Sequence, residues 1–317
     1  MDKKYPNLFI VGAPKSGTTS IYNFLKLNSD VYMCPIKEPH FFSKDIKSEN
    51  FNEKYRKLNE FNIDEYLSKE ERLAEKHITF ISNQSIDKYL QLFRERKSEK
   101  YTGEASTCYL FSKNAAHNIH KFNPDAKIII CLRQPLERAY SHWKMNFKSS
   151  ITETSNFNED LKKDFSINDK TWGGESQLLV EVGLYYKQVE RYLELFGSKN
   201  VHIIIFDDLK KNTLGVIEKL FSFLEIEHQF DQKSRTEYNI ALSPRNNIIK
   251  FLFNLLKGNF LISGLPNRYK KIIKMFFFKK DKNAYMTNKD FQLNNNYFID
   301  DILKLEKLIN KELVNWK

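Results

Sequence analysis

Residues 7–13, Asn-Leu-Phe-Ile-Val-Gly-Ala, run directly into Pro14-Lys15-Ser16-Gly17-Thr18-Thr19. A continuous apolar run of this length reads as a strand buried on both faces. The glycine-bearing turn after it, and a helical pattern from about Gly17 to Asn28, complete a strand–loop–helix unit. In such a unit the backbone N–H groups and the positive end of the helix converge on one point, which suits an anion. Two more apolar runs, 127–132 and 200–206, have the same continuous character. Pro135 suits the first turn of a helix after the second run. Strands bounded by helices predict an α/β fold, a P-loop-like parallel sheet with helices on both faces and a helical C-terminal part.

The turn almost matches the nucleoside-triphosphate loop, G-x4-G-K-[ST]. Gly12 and Gly17 are correctly spaced and Thr19 stands at the hydroxyl position, but Thr18 occupies the obligatory lysine position. The one lysine, Lys15, is displaced upstream. In the triphosphate enzymes a carboxylate also helps hold Mg²⁺. Here the strand 127–132 ends in Leu132-Arg133, a cation in place of an acid. An arginine there is built to hold a second phosphate without a metal, which argues against an ordinary ATPase or kinase.

The chain has 317 residues, of which 41% are hydrophobic, so it can bury a substantial core; its net charge is +11. That excess favours anionic partners but does not choose among them. The lysines are scattered, and no helix-turn-helix or RNA-binding signature accompanies them, so nucleic acid is not an expected partner. Cys34, Cys108 and Cys131 form neither a metal-ligand spacing nor a disulfide framework, and fit a reducing compartment. No window has the length and apolar character of a membrane span, so the expected location is the cytoplasm.

Pro14 to Thr19 resembles the 5′-phosphosulfate-binding loop of the sulfotransferase superfamily. Leu132-Arg133-Gln134-Pro135-Leu136-Glu137-Arg138-Ala139-Tyr140-Ser141 resembles its 3′-phosphate segment. The resemblance implies 3′-phosphoadenosine 5′-phosphosulfate (PAPS) as donor, with Lys15, Ser16, Gly17, Thr18 and Thr19 at the 5′ end and Arg133 and Ser141 at the 3′-phosphate. It implies no metal. Lys37-Glu38-Pro39-His40-Phe41-Phe42 is similar to a segment of the heparan-sulfate-type carbohydrate enzymes, which implies Glu38 as general base and Lys15 as the group that answers charge on the leaving oxygen. His40 is the competing base, and Pro39 is expected to keep Glu38 extended. His142 is expected on the helix surface or a pocket wall. Gly103-Glu104-Ala105-Ser106 resembles an element whose third residue is often a catalytic lysine, and Ala105 departs from it. Asn239 and Pro244-Arg245 resemble a later segment of bacterial members, which implies that Arg245 closes over a cofactor phosphate. The Leu305-Glu306 to Trp316 pattern also resembles those members.

The expected organisation is one sulfotransferase domain over 1–317. Residues 43–100 and 149–175 are substrate-side insertions, the second a mobile polar loop, and 246–317 is a mainly helical extension. A helix over Ile86–Arg96 and a long helix over Gln177–Phe196 complete the reading. The implied acceptor is a hydroxyl of a glycan or lipid-linked glycan. A small phenol or alcohol, a kinase with a degenerate loop, and a non-catalytic nucleotide-binding protein stay open as alternatives. The lysine- and phenylalanine-rich stretch 248–280 is read as core-packing helices, or as a peripheral contact with an anionic membrane.

Overall fold

The computed structural model describes residues 6–51, 53, 56, 61–68, 75–77, 85–148, 156–227, 242–244, 278–280 and 286–317. Its centre is a five-stranded sheet of β1 (Leu8–Gly12), β2 (Val31–Met33), β5 (Tyr101–Ala105), β6 (Lys127–Leu132) and β7 (Val201–Ile205) in the order β2-β5-β1-β6-β7. All four pairings are parallel, and Phe9 stands between Glu104 and Ile128. Every residue of β1 is buried, as its unbroken apolar run requires. β3 (Ile36–Lys37) pairs in parallel with β4 (Lys76–His77) as a separate two-stranded ribbon.

One face of the sheet, with Leu8, Ile10, Ile129 and Cys131, packs on Ile21 and Leu25 of helix Thr18–Lys26 and on Ile217 and Leu220 of helix Thr213–Leu224. On the other face Phe9 meets Phe42 edge-on, and helices Ala115–Phe122 and Tyr186–Phe196 lie against each other and the sheet. Helices Asn288–Asn294 and Ile299–Ile309 belong to the same compact unit, Met1–Phe230 with Asn288–Lys317. Residues 231–287 form a second unit, in which β8 (Leu242–Pro244) and β9 (Phe278–Lys280) pair antiparallel.

Three expectations about the elements change. Within 149–175, expected as a mobile loop, residues 157–166 form a helix capped by the Asn156 side chain, which accepts from the N–H groups of Asn158 and Glu159. Phe157, Leu161 and Asp164 recur at helical spacing, and all three are buried. The long helix expected over 177–196 begins at Tyr186; before it the Asp164 carboxylate holds the N–H groups of Gln177 (2.5 Å) and Leu179 (2.8 Å) outside any helix. The helix expected over 86–96 ends at Gln91, where Leu92 caps it. β5 was not expected as a strand, because Thr102, Gly103 and Glu104 break any apolar run. All three cysteines are free and buried.

Candidate active site

The loop after β1 threads between its two neighbours. Ala13 N–H donates to Cys131 O of β6 at 2.6 Å, while Ile10 and Val11 carbonyls accept from Ser106 (3.1 Å) and Leu110 (2.7 Å) beyond β5. Gly12 is so close to this return that a Cβ would lie 2.5 Å from Leu110 Cβ. Gly17 takes φ +89° and caps helix Thr18–Lys26 with no side-chain bond, and a Cβ there would lie 2.9 Å from Phe206 Cδ2. Glycine meets both demands. The first N–H groups of the helix therefore face the loop without a side-chain acceptor.

Ser16 is fully buried, and its Oγ makes no hydrogen bond of normal geometry with the described residues; Tyr185 Oη, nearby, donates instead to Arg133 O at 3.0 Å. A buried hydroxyl beside uncapped helix N–H groups is a cradle that an anionic oxygen would complete. Lys15, at φ +68°, directs Nζ toward Met145 Sδ (3.7 Å) on helix Pro135–Lys148. Thr18 is buried, and the Thr19 hydroxyl accepts from Lys37 Nζ at 2.7 Å.

Arg133 closes the loop from the β6 side. Its Nη1 donates to Lys15 O at 3.4 Å, its Nε and Nη2 to Glu137 Oε2 at 3.2 and 2.9 Å, and its guanidinium stands 5.0 Å from the Phe206 ring centre. Ser141, half-buried, lies eight residues further along the same helix-bearing segment. His142 is buried instead of lying on the helix surface. Burial, Arg138 and Lys15 push its imidazole well below the usual value, so it is neutral, with Nδ1 3.3 Å from Arg138 Nη1. Arg245 lies outside the described residues, as do Asn239 and most of 248–280.

Glu38 enters from a third segment. Cys34 N–H donates to Gly103 O (2.7 Å) and Glu38 N–H to Ala105 O (2.8 Å), so residues 34–38 run along β5 toward its carboxyl end. The Glu38 carboxylate is buried and accepts from Thr107 N–H at 2.6 Å, with the Thr107 hydroxyl at 3.2 Å. His40 Nε2 stands 3.9 Å and Lys37 Nζ 3.7 Å from its oxygens. The expectation of an extended Glu38 before Pro39 is overturned. Glu38 has φ +67° and His40 φ +57°, both in the left-handed region, because bonds on either side fix the turn. One is Glu38 to Ala105; the other is His40 N–H to Ser106 Oγ at 3.1 Å. His40 Nδ1 contacts Cys108 Sγ, whose thiol burial pushes up and keeps neutral, so Nε2 is the nitrogen turned to Glu38.

Beneath this turn Glu104 is fully buried and accepts from Tyr89 Oη (2.7 Å), Ser106 Oγ (2.9 Å) and Tyr109 Oη (3.0 Å). Burial nevertheless raises its carboxyl to about 7. Sequence reasoning missed Lys37, Thr107, Glu104 and Tyr185 as parts of this site. The signals were the place of Lys37 beside Glu38 and of Glu104 within Gly103-Glu104-Ala105-Ser106; nothing in the local sequence marks Thr107 or Tyr185.

The Sulfotransferase domain family profile matches residues 5–315. The chain is 25% identical over 256 residues to Carbohydrate sulfotransferase 15 of Homo sapiens, covering 70% of this chain and 44% of that protein. It is 25% identical over 238 residues to the Bifunctional heparan sulfate N-deacetylase/N-sulfotransferase of Drosophila melanogaster, covering 74% of this chain and 21% of that one. The chain thus spans less than half the length of either relative. The crystal structure of a sulfotransferase from Alicyclobacillus acidocaldarius superposes with a TM-score of 0.68 at 27% identity, covering 98% of both chains.

Proposed function

The chain belongs to the sulfotransferase domain family, and on that premise we propose that it moves the sulfuryl group of PAPS to a hydroxyl of a glycan or glycolipid. The observation that carries this reading is the convergence at the carboxyl ends of β1, β5 and β6. An anion cradle, Arg133 and a buried carboxylate come from three separate segments of chain. The acceptor class rests on the named carbohydrate and heparan relatives.

In this proposal Ser16, Gly17, Thr18 and Thr19 hold the 5′-phosphosulfate, and Arg133 with Ser141 holds the 3′-phosphate. Arg245 would add a further cation at a phosphate. Glu38 takes the acceptor's proton during attack, since an alcohol is a weak nucleophile and a positioned carboxylate is a fitting base. Thr107 orients that carboxylate through two bonds on one side, leaving it directed by its neighbours instead of by solvent. Lys15 answers charge growing on the leaving oxygen, a fixed donor doing electrostatic work. His142, neutral beside Lys15, adds no positive charge of its own to the ammonium's surroundings. Metal independence stays part of the proposal, because Arg133 ends β6 where a metal-holding acid would stand. So does the division of labour in one domain, with 43–100 and 149–175 shaping the acceptor side.

Calorimetric titration with 3′-phosphoadenosine 5′-phosphate (PAP), and separately with ADP plus Mg²⁺, tests the donor class. The expected result is metal-independent binding of PAP, weakened about tenfold to a hundredfold by Arg133→Ala, and none for ADP. Preference for Mg-ADP would sink the reading. Among the described residues no helix is long and apolar enough to cross a membrane. Peripheral docking from a cytoplasmic location is proposed for 248–280. Sedimentation with anionic vesicles at low salt checks it, and protein left wholly in the supernatant would rule it out.

A further inference from the structure

Among the described residues one lysine is buried: Lys37, at the end of β3, only 7% exposed. Taking an ammonium out of water is expensive unless partners compensate, and it brings three N–H donors. Lys37 Nζ donates once, to the Thr19 hydroxyl at 2.7 Å. The nearest carboxylate oxygen, Glu38 Oε1, stands at 3.7 Å, inside ion-pair range but beyond hydrogen-bond distance. That carboxylate is meanwhile gripped by Thr107. The ammonium therefore spans from the first turn of helix Thr18–Lys26 to Glu38 with donor capacity in hand.

We infer that Lys37 is a further catalytic residue, donating to a non-bridging oxygen of the sulfuryl group in transit. The inference rests on the sulfotransferase reading above and adds a residue to it. Thr19 belongs to the loop that would carry the 5′-phosphosulfate, and Glu38 stands where the acceptor's proton would go. A group passing between those two points passes the ammonium that bridges them. In the transfer the acceptor oxygen forms a bond to sulfur as the bond from sulfur to the 5′-phosphate oxygen breaks. The electron pair of the broken bond leaves with PAP, and the acceptor's proton goes to Glu38. Lys37 keeps its protons throughout, and its charge meets the negative charge spread over the oxygens on sulfur. Lys15 does not duplicate this position, since its Nζ turns toward Met145 on the β6 side. Ala105, at the carboxyl end of β5, brings no cation of its own, so the ammonium reaches this side of the site from β3.

Competition calorimetry on the full chain compares PAPS with PAP, which lacks only the sulfuryl group. For Lys37→Met the expected result is PAP affinity within about threefold of wild type and PAPS affinity lower by about tenfold or more. Retained PAP binding also reports an intact fold. Should Lys37→Met depart from the wild-type melting profile, Lys37→Gln, which can still donate to Thr19, makes the same comparison. Equal losses for the two ligands, or no loss for either, would overturn the assignment and leave Lys37 a structural bridge. A wild-type chain that binds neither nucleotide overturns the sulfotransferase reading itself, and Lys37 falls with it.

Discussion

Replacing Glu104 with Gln should remove a large pH dependence from the stability of this protein. Glu104 is fully buried on β5, and burial raises its carboxyl from 4.5 to about 7 against the opposing pull of the Tyr89, Ser106 and Tyr109 hydroxyls. A carboxyl whose folded pKa is raised binds its proton more tightly folded than unfolded. Its contribution is complete below about pH 4.5 and is lost as pH rises through about 7. At about 1.4 kcal/mol per unit, the difference comes to about 3 kcal/mol, as an order of magnitude. Glutamine carries no titrating proton. The stability of wild type minus that of Glu104→Gln should therefore fall by about 3 kcal/mol between about pH 4 and about pH 8. Urea unfolding of both proteins across this range measures it. His202, lowered to about 4 by burial and Lys219, loses stability as pH falls, and Asp301, raised to about 6 by burial, loses it as pH rises. Both groups are common to the two proteins and cancel in the difference. A difference that stays flat, or rises with pH, would refute the reasoning.

Three other substitutions follow from the same geometry. Glu137→Ala removes the carboxylate that occupies Arg133 Nε and Nη2 and should tighten PAP binding several-fold in calorimetry; weaker binding would show that Glu137 orients the guanidinium instead. Gly17→Ala places a Cβ 2.9 Å from Phe206 at φ +89° and should cost about 2 kcal/mol in urea unfolding and weaken PAP as well, so an unchanged midpoint would contradict the packing. Asp164→Ala strands the Gln177 and Leu179 N–H groups and the Ser176 hydroxyl, all held by one carboxylate. It should cost about 3 kcal/mol, with faster hydrogen exchange at those two amides, and unchanged exchange would count against it.

Three strands of the sheet were legible because they are continuous apolar runs, and the loop was legible because its glycines mark a strand-to-helix turn. β5 was not legible: its buried Glu104 reads as a surface residue in sequence, and only the hydroxyls of Tyr89, Ser106 and Tyr109 make burial tolerable. The helix 157–166 hid in polar composition because two of its inward positions are aspartates, Asp160 accepting from Trp143 Nε1 and Asp164 from the Ser176 hydroxyl and the Gln177 and Leu179 N–H groups. Glu38 was singled out by motif, but the extended backbone expected of it was wrong. The preference of a residue before proline is weak beside a backbone bond to Ala105 and a serine hydroxyl holding His40. In each case long-range hydrogen bonding overrode a local rule.

The strand order places the candidate site where the winding of the sheet reverses. From β1 the chain goes to one side for β2 and β5, then to the other for β6 and β7, so the switch point falls at β1, where loops part and ligands bind. Residues 34–38 lie outside that winding but are tied to β5 at Gly103 and Ala105. The segment 43–100 thus leaves from the end of β5, where Glu38 is held, and returns as β5 itself. Its last helix, Ile86–Gln91, is part of the same anchorage, since Tyr89 stacks on Phe41 and bonds Glu104. Tyr89 is thereby tied to the segment that carries Glu38. Tyr89→Phe should leave PAP affinity at the wild-type value while lowering stability by about 1 kcal/mol, because it removes one of three bonds to Glu104 and no contact to the phosphate loop. Calorimetry and urea unfolding on the one variant measure both, and a loss of PAP affinity would show that β5 and the cradle are not as separable as the hydrogen bonds make them.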